Sequence, residues 1–234
     1  MIALKDVAVS LGGRTVLEGI TLTLAPGERT GILGPIGCGK STLLRAIIGL
    51  QPIASGAITL FGEPCDAPES FRRHYPKIGF LFQNSDDQLI APTVLEDVAL
   101  GPLNHRHTPE TARQKALDAL TQVGLANLAD RTVYTLSGGQ KRLVALAGLL
   151  ACDPQLLLLD EPDSALDPAG RARLSTALKA FKGTILTVSH NWDFLESLSS
   201  RIVGLQEGRL IETGPAQPHS HLHQHPLGHL PHEH

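Results

Sequence analysis

Residues 34–41 read Gly34-Pro35-Ile36-Gly37-Cys38-Gly39-Lys40-Ser41, with Thr42 next. Every fixed position of the pattern G-x-x-x-x-G-K-[ST] is filled. A short apolar stretch, 30–33, precedes it. After it, Leu43, Leu44, Ile47 and Ile48 recur at helical spacing, and Gly49 closes the run. A buried strand, a glycine-rich loop and a helix are therefore predicted in that order. The spacing has a chemical reason. Gly34, Gly37 and Gly39 let the backbone curl until successive N–H groups face phosphate oxygens. The helix starting near Lys40 adds its positive end. Lys40 is then placed for the β- and γ-phosphates of a nucleoside triphosphate, and Ser41 for Mg²⁺. The alternative is a glycine-rich turn before a helix; the lysine, the serine and the flanking elements together disfavour it.

The second informative stretch is 156–162, four leucines followed by Asp160-Glu161-Pro162. The leucines predict a strand buried on both faces. Two adjacent carboxylates at its end cannot both be buried unpaired. Asp160 fits a Mg²⁺ partner, direct or through water. Side chains alternate along a strand, so Glu161 points elsewhere unless the strand ends. Pro162 helps end it, leaving Glu161 free to polarise a water aimed at the γ-phosphate.

Around these sites the pattern alternates strands with helices, which argues for a parallel α/β sheet. Residues 2–10 and 16–24 read as an antiparallel pair about Gly12–Gly13, and 57–61 as a further strand of that sheet. Buried strands are predicted at 78–82 and 185–189, and a closing hairpin at 202–205 and 209–212. A largely helical stretch over 94–152 interrupts the sheet. Within it Thr108–Pro109 is a helix start, Leu117, Leu120 and Val123 line one face, and Gly124 is a stop. A helix after Asp167–Pro168 carries Leu174, Leu178 and Phe181.

Composition narrows the function classes. The chain has 234 residues and a net charge of −3, which disfavours a nucleic-acid binder working by bulk electrostatics. The longest apolar run, Leu143–Cys152, is ten residues, about half a membrane helix. No signal-peptide pattern opens the sequence, and Cys38, Cys65 and Cys152 form no CxxC pair, so a reducing, cytosolic setting is expected.

Leu136-Ser137-Gly138-Gly139-Gln140 lies just ahead of a helix. With the two motifs above, it makes residues 1–214 resemble an ATP-binding-cassette (ABC) ATPase. Three further elements fall in the family's order: Gln83 after a strand as in the Q-loop, Ser164-Ala-Leu-Asp167 as in the D-loop, and His190 at a strand end as in the histidine switch. The resemblance implies a P-loop NTPase core of α/β class with an antiparallel β subdomain and an α-helical subdomain at about 85–152. It implies ATP and Mg²⁺ as cofactors. Gly34 to Thr42 would bind ATP in one subunit, and Ser137, Gly138, Gly139 and Gln140 would bind it in trans from a second. Ser41, Gln83 and Asp160 would hold Mg²⁺, and Glu161, His190, Lys40 and Gln83 would be catalytic. Both a homodimer and a heterodimer of ATPase subunits fit this reading. Lys141 and Arg142 read as solvated helix positions. The chain departs from the family pattern at Leu11, where an aromatic usually stacks on adenine, at Ile36 and Cys38 in the phosphate loop, and at Asn191, where aspartate is usual. None removes a catalytic group.

The segment Gln83–Asn104 resembles the Q-loop region of ATPases from energy-coupling-factor importers for cobalt or nickel. That implies transmembrane coupling and substrate-binding subunits as partners, at the cytoplasmic face of the membrane. Asp86, Asp87 and Gln88 read as exposed polar residues suited to a polar socket. The end of the chain, 215–234, is a histidine-rich tail: seven of the eleven histidines, His219, His221, His223, His225, His229, His232 and His234, lie there. Alternate histidines in an extended chain project to one side, and imidazole suits Ni²⁺, Co²⁺, Zn²⁺ and Cu²⁺; with the Gln83–Asn104 resemblance, nickel or cobalt is favoured. An inconsequential tail or a purification remnant is the alternative. The expected function is the ATPase of a nickel or cobalt importer. The alternatives are a transporter for another substrate, or a soluble non-transport ABC ATPase, whose usual long coiled coil is missing. A histidine-tailed GTPase is disfavoured, because no N-K-x-D motif is present.

Overall fold

The computed structural model describes residues 1–212. In chain order the elements are β1 (Ile2–Leu11), β2 (Arg14–Leu24), β3 (Arg29–Leu33), α1 (Lys40–Ile47), β4 (Ser55–Leu60), β5 (Glu63–Pro64), α2 (Pro68–Arg72), β6 (Ile78–Leu81), α3 (Val94–Asn104), α4 (Pro109–Gln122), α5 (Gly138–Leu150), β7 (Leu156–Asp160), α6 (Pro168–Ala180), β8 (Thr184–Ser189), α7 (Trp192–Leu198), β9 (Arg201–Gln206) and β10 (Arg209–Glu212). They form two sheets. The first is antiparallel, in the order β2-β1-β4-β5. Its β1–β2 turn is made by Gly12 and Gly13, whose φ values of 55° and 80° explain the glycine pair. The second runs β10-β9-β3-β8-β7-β6, parallel except for the terminal β9–β10 hairpin.

Alternation in β7 joins the two halves of the core. Leu156 and Leu158 pack with the antiparallel sheet and α1, whereas Leu157 and Leu159 pack with the helices on the other face. The strand is buried on both sides, as its unbroken leucines require. The helical stretch resolves into α3, α4 and α5, separated by turns. Each starts on a hydroxyl cap: Thr93, Thr108 and Ser137 accept from Glu96 N, Thr111 N and Gln140 N. The inner face of α4 is built mainly from Ala112, Ala116, Ala119 and Leu120, while Leu117 is only half-buried. Small side chains let α4 approach α3 closely. The short helices α2 and α7 were not expected, because five and seven residues give too little periodicity to read. No helix among the described residues is long and apolar enough to cross a membrane.

Candidate functional site

Three neighbouring strands, β3, β8 and β7, end side by side, and the chemistry-bearing residues sit at those carboxyl ends. Such a crevice is where open α/β sheets bind ligands. The loop after β3 carries Gly37 and Gly39 at φ 83° and 106°, conformations that side chains rarely adopt. Gly34 is required for a different reason: a Cβ there would lie 2.5 Å from the Leu205 carbonyl oxygen. No side chain caps the N-terminus of α1, and no acidic residue occupies its first turn. That end of the helix therefore offers N–H groups to an anion, and the loop fits a phosphate. Lys40 is buried and curls over the loop, donating to Gly34 O (2.7 Å) and Pro35 O (2.9 Å).

β7 ends at Asp160, and the chain turns at Glu161 with φ 49°. The turn separates the two carboxylates, as the strand-end reading requires. Asp160 is 1% exposed and accepts from Ser41 Oγ at 3.0 Å. Burial pushes its carboxyl above the ordinary range, while the Ser41 hydrogen bond pulls it down. Among the described residues no lysine or arginine forms an ion pair with it. A hydroxyl beside a buried carboxylate that has no salt-bridge partner among those residues is a donor set that suits Mg²⁺. Glu161 is buried too, with Oε1 3.2 Å from Lys40 Nζ and Oε2 2.6 Å from His190 Nδ1. His190 projects from the end of β8. Lys40, Ser41, Asp160, Glu161 and His190 therefore meet in one cluster. Gln83 is exposed just past β6.

Ser137 and Gln140 close a reciprocal capping box on α5: Gln140 N donates to Ser137 Oγ (3.2 Å), and Ser137 N to Gln140 Oε1 (3.0 Å). The Gln140 amide oxygen is thereby engaged within its own helix. Gly138 has open space around its missing Cβ, whereas a Cβ on Gly139 would meet Ala165 O at 3.2 Å.

Three expectations are corrected. Arg142 is not solvated; it is 2% exposed. Its guanidinium donates to Phe82 O (2.5 Å), Ser85 Oγ (3.4 Å), Glu161 O (2.8 Å) and Ser164 Oγ (2.5 Å). One side chain of α5 thus ties the segment around Gln83 to the turn at Glu161. Burial lowers its pKa, and the charges of Asp160, Asp163 and Glu161 raise it; a guanidinium stays protonated regardless. Lys141 is only part-exposed and forms an ion pair with Asp86 at 2.5 Å. Gln88 is half-buried rather than exposed: it donates to Phe80 O (3.2 Å) and accepts from Phe82 N (3.3 Å), propping the end of β6. Asp163, which sequence reading passed over, is buried and bonded to Ser189 and Asn191. A signal for Arg142 was present, since it directly precedes the apolar run of α5.

The family model described as ABC transporter matches residues 17–164, well over half of the chain. The chain belongs to the ABC transporter family. It is the ATP-binding subunit of such a transporter and an ATPase. A putative ABC transporter ATP-binding protein of Brucella suis is 48% identical over 221 residues, spanning 94% of this chain and 91% of that protein. The nickel import ATP-binding protein NikO of Rhodobacter capsulatus is 40% identical over 227 residues, 91% of this chain and 88% of its own length. Among solved structures, cbiO1 of Clostridium perfringens, part of the ABC transporter complex cbiONQ, superposes with a TM-score of 0.81. It is 32% identical and covers 90% of this chain and 86% of its own. The ABC ATPase fold expected from the motifs is the fold observed. The matched residues stop at Ser164, so His190 lies outside them. The histidines from His219 to His234 lie outside the described residues.

Proposed function

We propose that this chain powers the import of nickel or cobalt ions, as the peripheral ATPase of an energy-coupling-factor type complex at the cytoplasmic face of the membrane. The observation that carries the metal assignment is the segment Gln83–Asn104, which resembles the same segment of cobalt and nickel ATPases. The nickel import ATP-binding protein NikO, 40% identical to this chain, supports the same direction. The segment also presents apolar surface for a membrane partner: Ile90 is 81% exposed and Leu103 41%.

In this reading the loop 34–42 and Lys40 hold the β- and γ-phosphates. Ser41 and Asp160, with Gln83, would hold Mg²⁺, which when bound neutralises phosphate charge. Glu161 accepts the proton of the attacking water, and His190 fixes the Glu161 carboxylate through its Nδ1 contact. Ser137 to Gln140 of a second cassette close the nucleotide from the opposite side. Residues 1–214 form the ATPase unit, with a helical part over about 85–152, and 215–234 bind divalent metal.

Uptake of radioactive Ni²⁺ and Co²⁺ by cells lacking the gene tests the assignment. Uptake of one of the two ions should fall, return with the wild-type chain, and stay low with Glu161→Gln. Undiminished uptake of both ions in the deleted strain would refute it.

A further inference from the structure

We propose that Asp163 and Asn191 act as a clamp that positions His190 against Glu161. His190 lies between Ser189 and Asn191, and both neighbours bond to the same carboxylate. Asp163 Oδ1 accepts from Ser189 Oγ at 2.9 Å, and Oδ2 accepts from Asn191 Nδ2 at 3.0 Å. Ser189 Oγ in turn accepts from Asn191 N at 3.0 Å. Asp163 and Ser189 are buried, at 5% and 0% exposure. Asp163 stands two residues after Glu161, so the clamp joins the two chain segments whose side chains must meet. His190 is thus bracketed on both sides along its own segment, and Glu161 is followed by the shared carboxylate.

The clamp explains why Asn191 stands where the family usually has aspartate. Both ends of the Asn191 amide are engaged. Its Oδ1 caps α7 by accepting from Phe194 N at 3.3 Å, and its Nδ2 serves Asp163. An aspartate at 191 could keep the cap. Its second oxygen would then face Asp163 Oδ2 at the present 3.0 Å contact. Two ionised carboxylates that close repel one another unless they share a proton. At a pH where both are ionised the segment would move apart and carry His190 with it. Asp163 and Asn191 are therefore positioning residues, and neither touches the reacting atoms.

The clamp rests on the reading of His190 as part of the hydrolytic site, so the experiment treats the two separately. Steady-state ATPase kinetics of the full chain are measured for Asn191→Asp, Asp163→Asn, the double exchange, His190→Ala, and His190→Ala combined with Asn191→Asp. Asn191→Asp should lower kcat about ten-fold, the scale of a sub-ångström displacement of a catalytic group, with KM for ATP within about two-fold. In the double exchange, the amide placed at position 163 would accept from Ser189 and donate to the carboxylate placed at position 191. Its kcat should therefore return to within about two-fold of wild type. In the His190→Ala background, Asn191→Asp should lower kcat no further. Wild-type kcat in Asn191→Asp, no recovery in a folded double exchange, or a further loss in the His190→Ala background would each overturn the clamp. If the double exchange does not fold, Asn191→Ser carries the test: it keeps a cap but is too short for Asp163, and wild-type kcat there overturns the clamp. Wild-type kcat in His190→Ala would instead refute the role of His190, and the clamp with it.

Discussion

Replacing Arg142 by Met tests whether a buried arginine holds the site together. Of its four acceptors, Glu161 O keeps Ser164 N (3.1 Å) and Ser164 Oγ (2.7 Å) as donors. Phe82 O and Ser164 Oγ lose a charged donor at 2.5 Å each, and Ser85 Oγ a longer one at 3.4 Å. A hydrogen bond from a charged group contributes about 1.5–3 kcal/mol, so the two short bonds alone amount to about 3–6 kcal/mol. Removing the cation also leaves Asp160, Glu161 and Asp163 without a charge that acts on all three. The methionine side chain returns about 1–2 kcal/mol through apolar burial. The net loss is about 3 kcal/mol. For a chain of this size that lowers the melting temperature by about 6–12 °C. Thermal melting of the nucleotide-free protein by circular dichroism measures it. ATPase activity should fall as well, although Arg142 reaches no phosphate, because the Glu161 carbonyl loses a tether. Arg142→Lys should recover part of the stability, since one ammonium can serve fewer of the acceptors. A melting shift below about 2 °C for Arg142→Met would refute the network as a stabilising element.

Glu161→Gln should slow hydrolysis by about 10²–10⁴ and bind ATP more tightly, because the anion competing for Lys40 is gone; single-turnover kinetics and nucleotide titration check both. Asp160→Asn should raise the nucleotide-free melting temperature at neutral pH while abolishing Mg²⁺-dependent hydrolysis. The folded pKa of Asp160 is raised, so the folded state binds more protons than the unfolded one above the ordinary carboxylate value, and its ionisation lowers stability as pH rises through that window. A lowered melting temperature in Asp160→Asn would contradict this. Alkylation of Cys38 should abolish ATPase activity and be blocked by ATP, since the thiol packs 2.7 Å from where a Gly34 Cβ would lie inside the phosphate loop; a Cys38→Ser variant that is equally sensitive would place the reactive thiol elsewhere. Truncation after Thr213 should leave MgATPase activity unchanged and remove most Ni²⁺ or Co²⁺ binding in calorimetry; full metal stoichiometry after truncation would refute the tail as a ligand.

The cluster of polar residues at the strand ends was legible because most of its members are fixed by local spacing. Lys40 and Ser41 follow a strand and a glycine loop within eight positions, and Asp160 and Glu161 close a leucine strand. Period-two alternation likewise exposed β1 and β2, and the unbroken run of leucines exposed β7. The residues that hold these groups in place were not legible, since their partners are distant in sequence. Arg142 bonds to Phe82, 60 positions away, and Asp163 to Asn191, 28 positions away. A basic residue near a helix start carries no mark of its partners. Gln88 misled for the same reason: a polar residue in a polar stretch looks solvated, yet its amide completes the backbone bonds that β6 leaves open at its end.

Three carboxylates at positions 160, 161 and 163 would repel one another if they pointed the same way. They do not, because a single backbone turn sends them apart. Asp160, still in the strand, faces Ser41 of α1. Glu161, at φ 49°, faces Lys40 and His190. Asp163, beyond Pro162, faces Ser189 and Asn191. A left-handed turn at a residue with a Cβ costs about 1–2 kcal/mol. Glycine would avoid that cost but would remove the carboxylate. The strain is held by the bonds around it: Glu161 N donates to Val188 O at 3.0 Å, and its carbonyl accepts from Ser164 N, Ser164 Oγ and Arg142 Nη2. Four bonds at about 1 kcal/mol or more each exceed the strain. The turn that makes Glu161 available for chemistry is thus stabilised by the same arginine that reaches the segment around Gln83. A displacement of that segment, the surface proposed to meet the membrane partner, would reach the Glu161 backbone through one side chain.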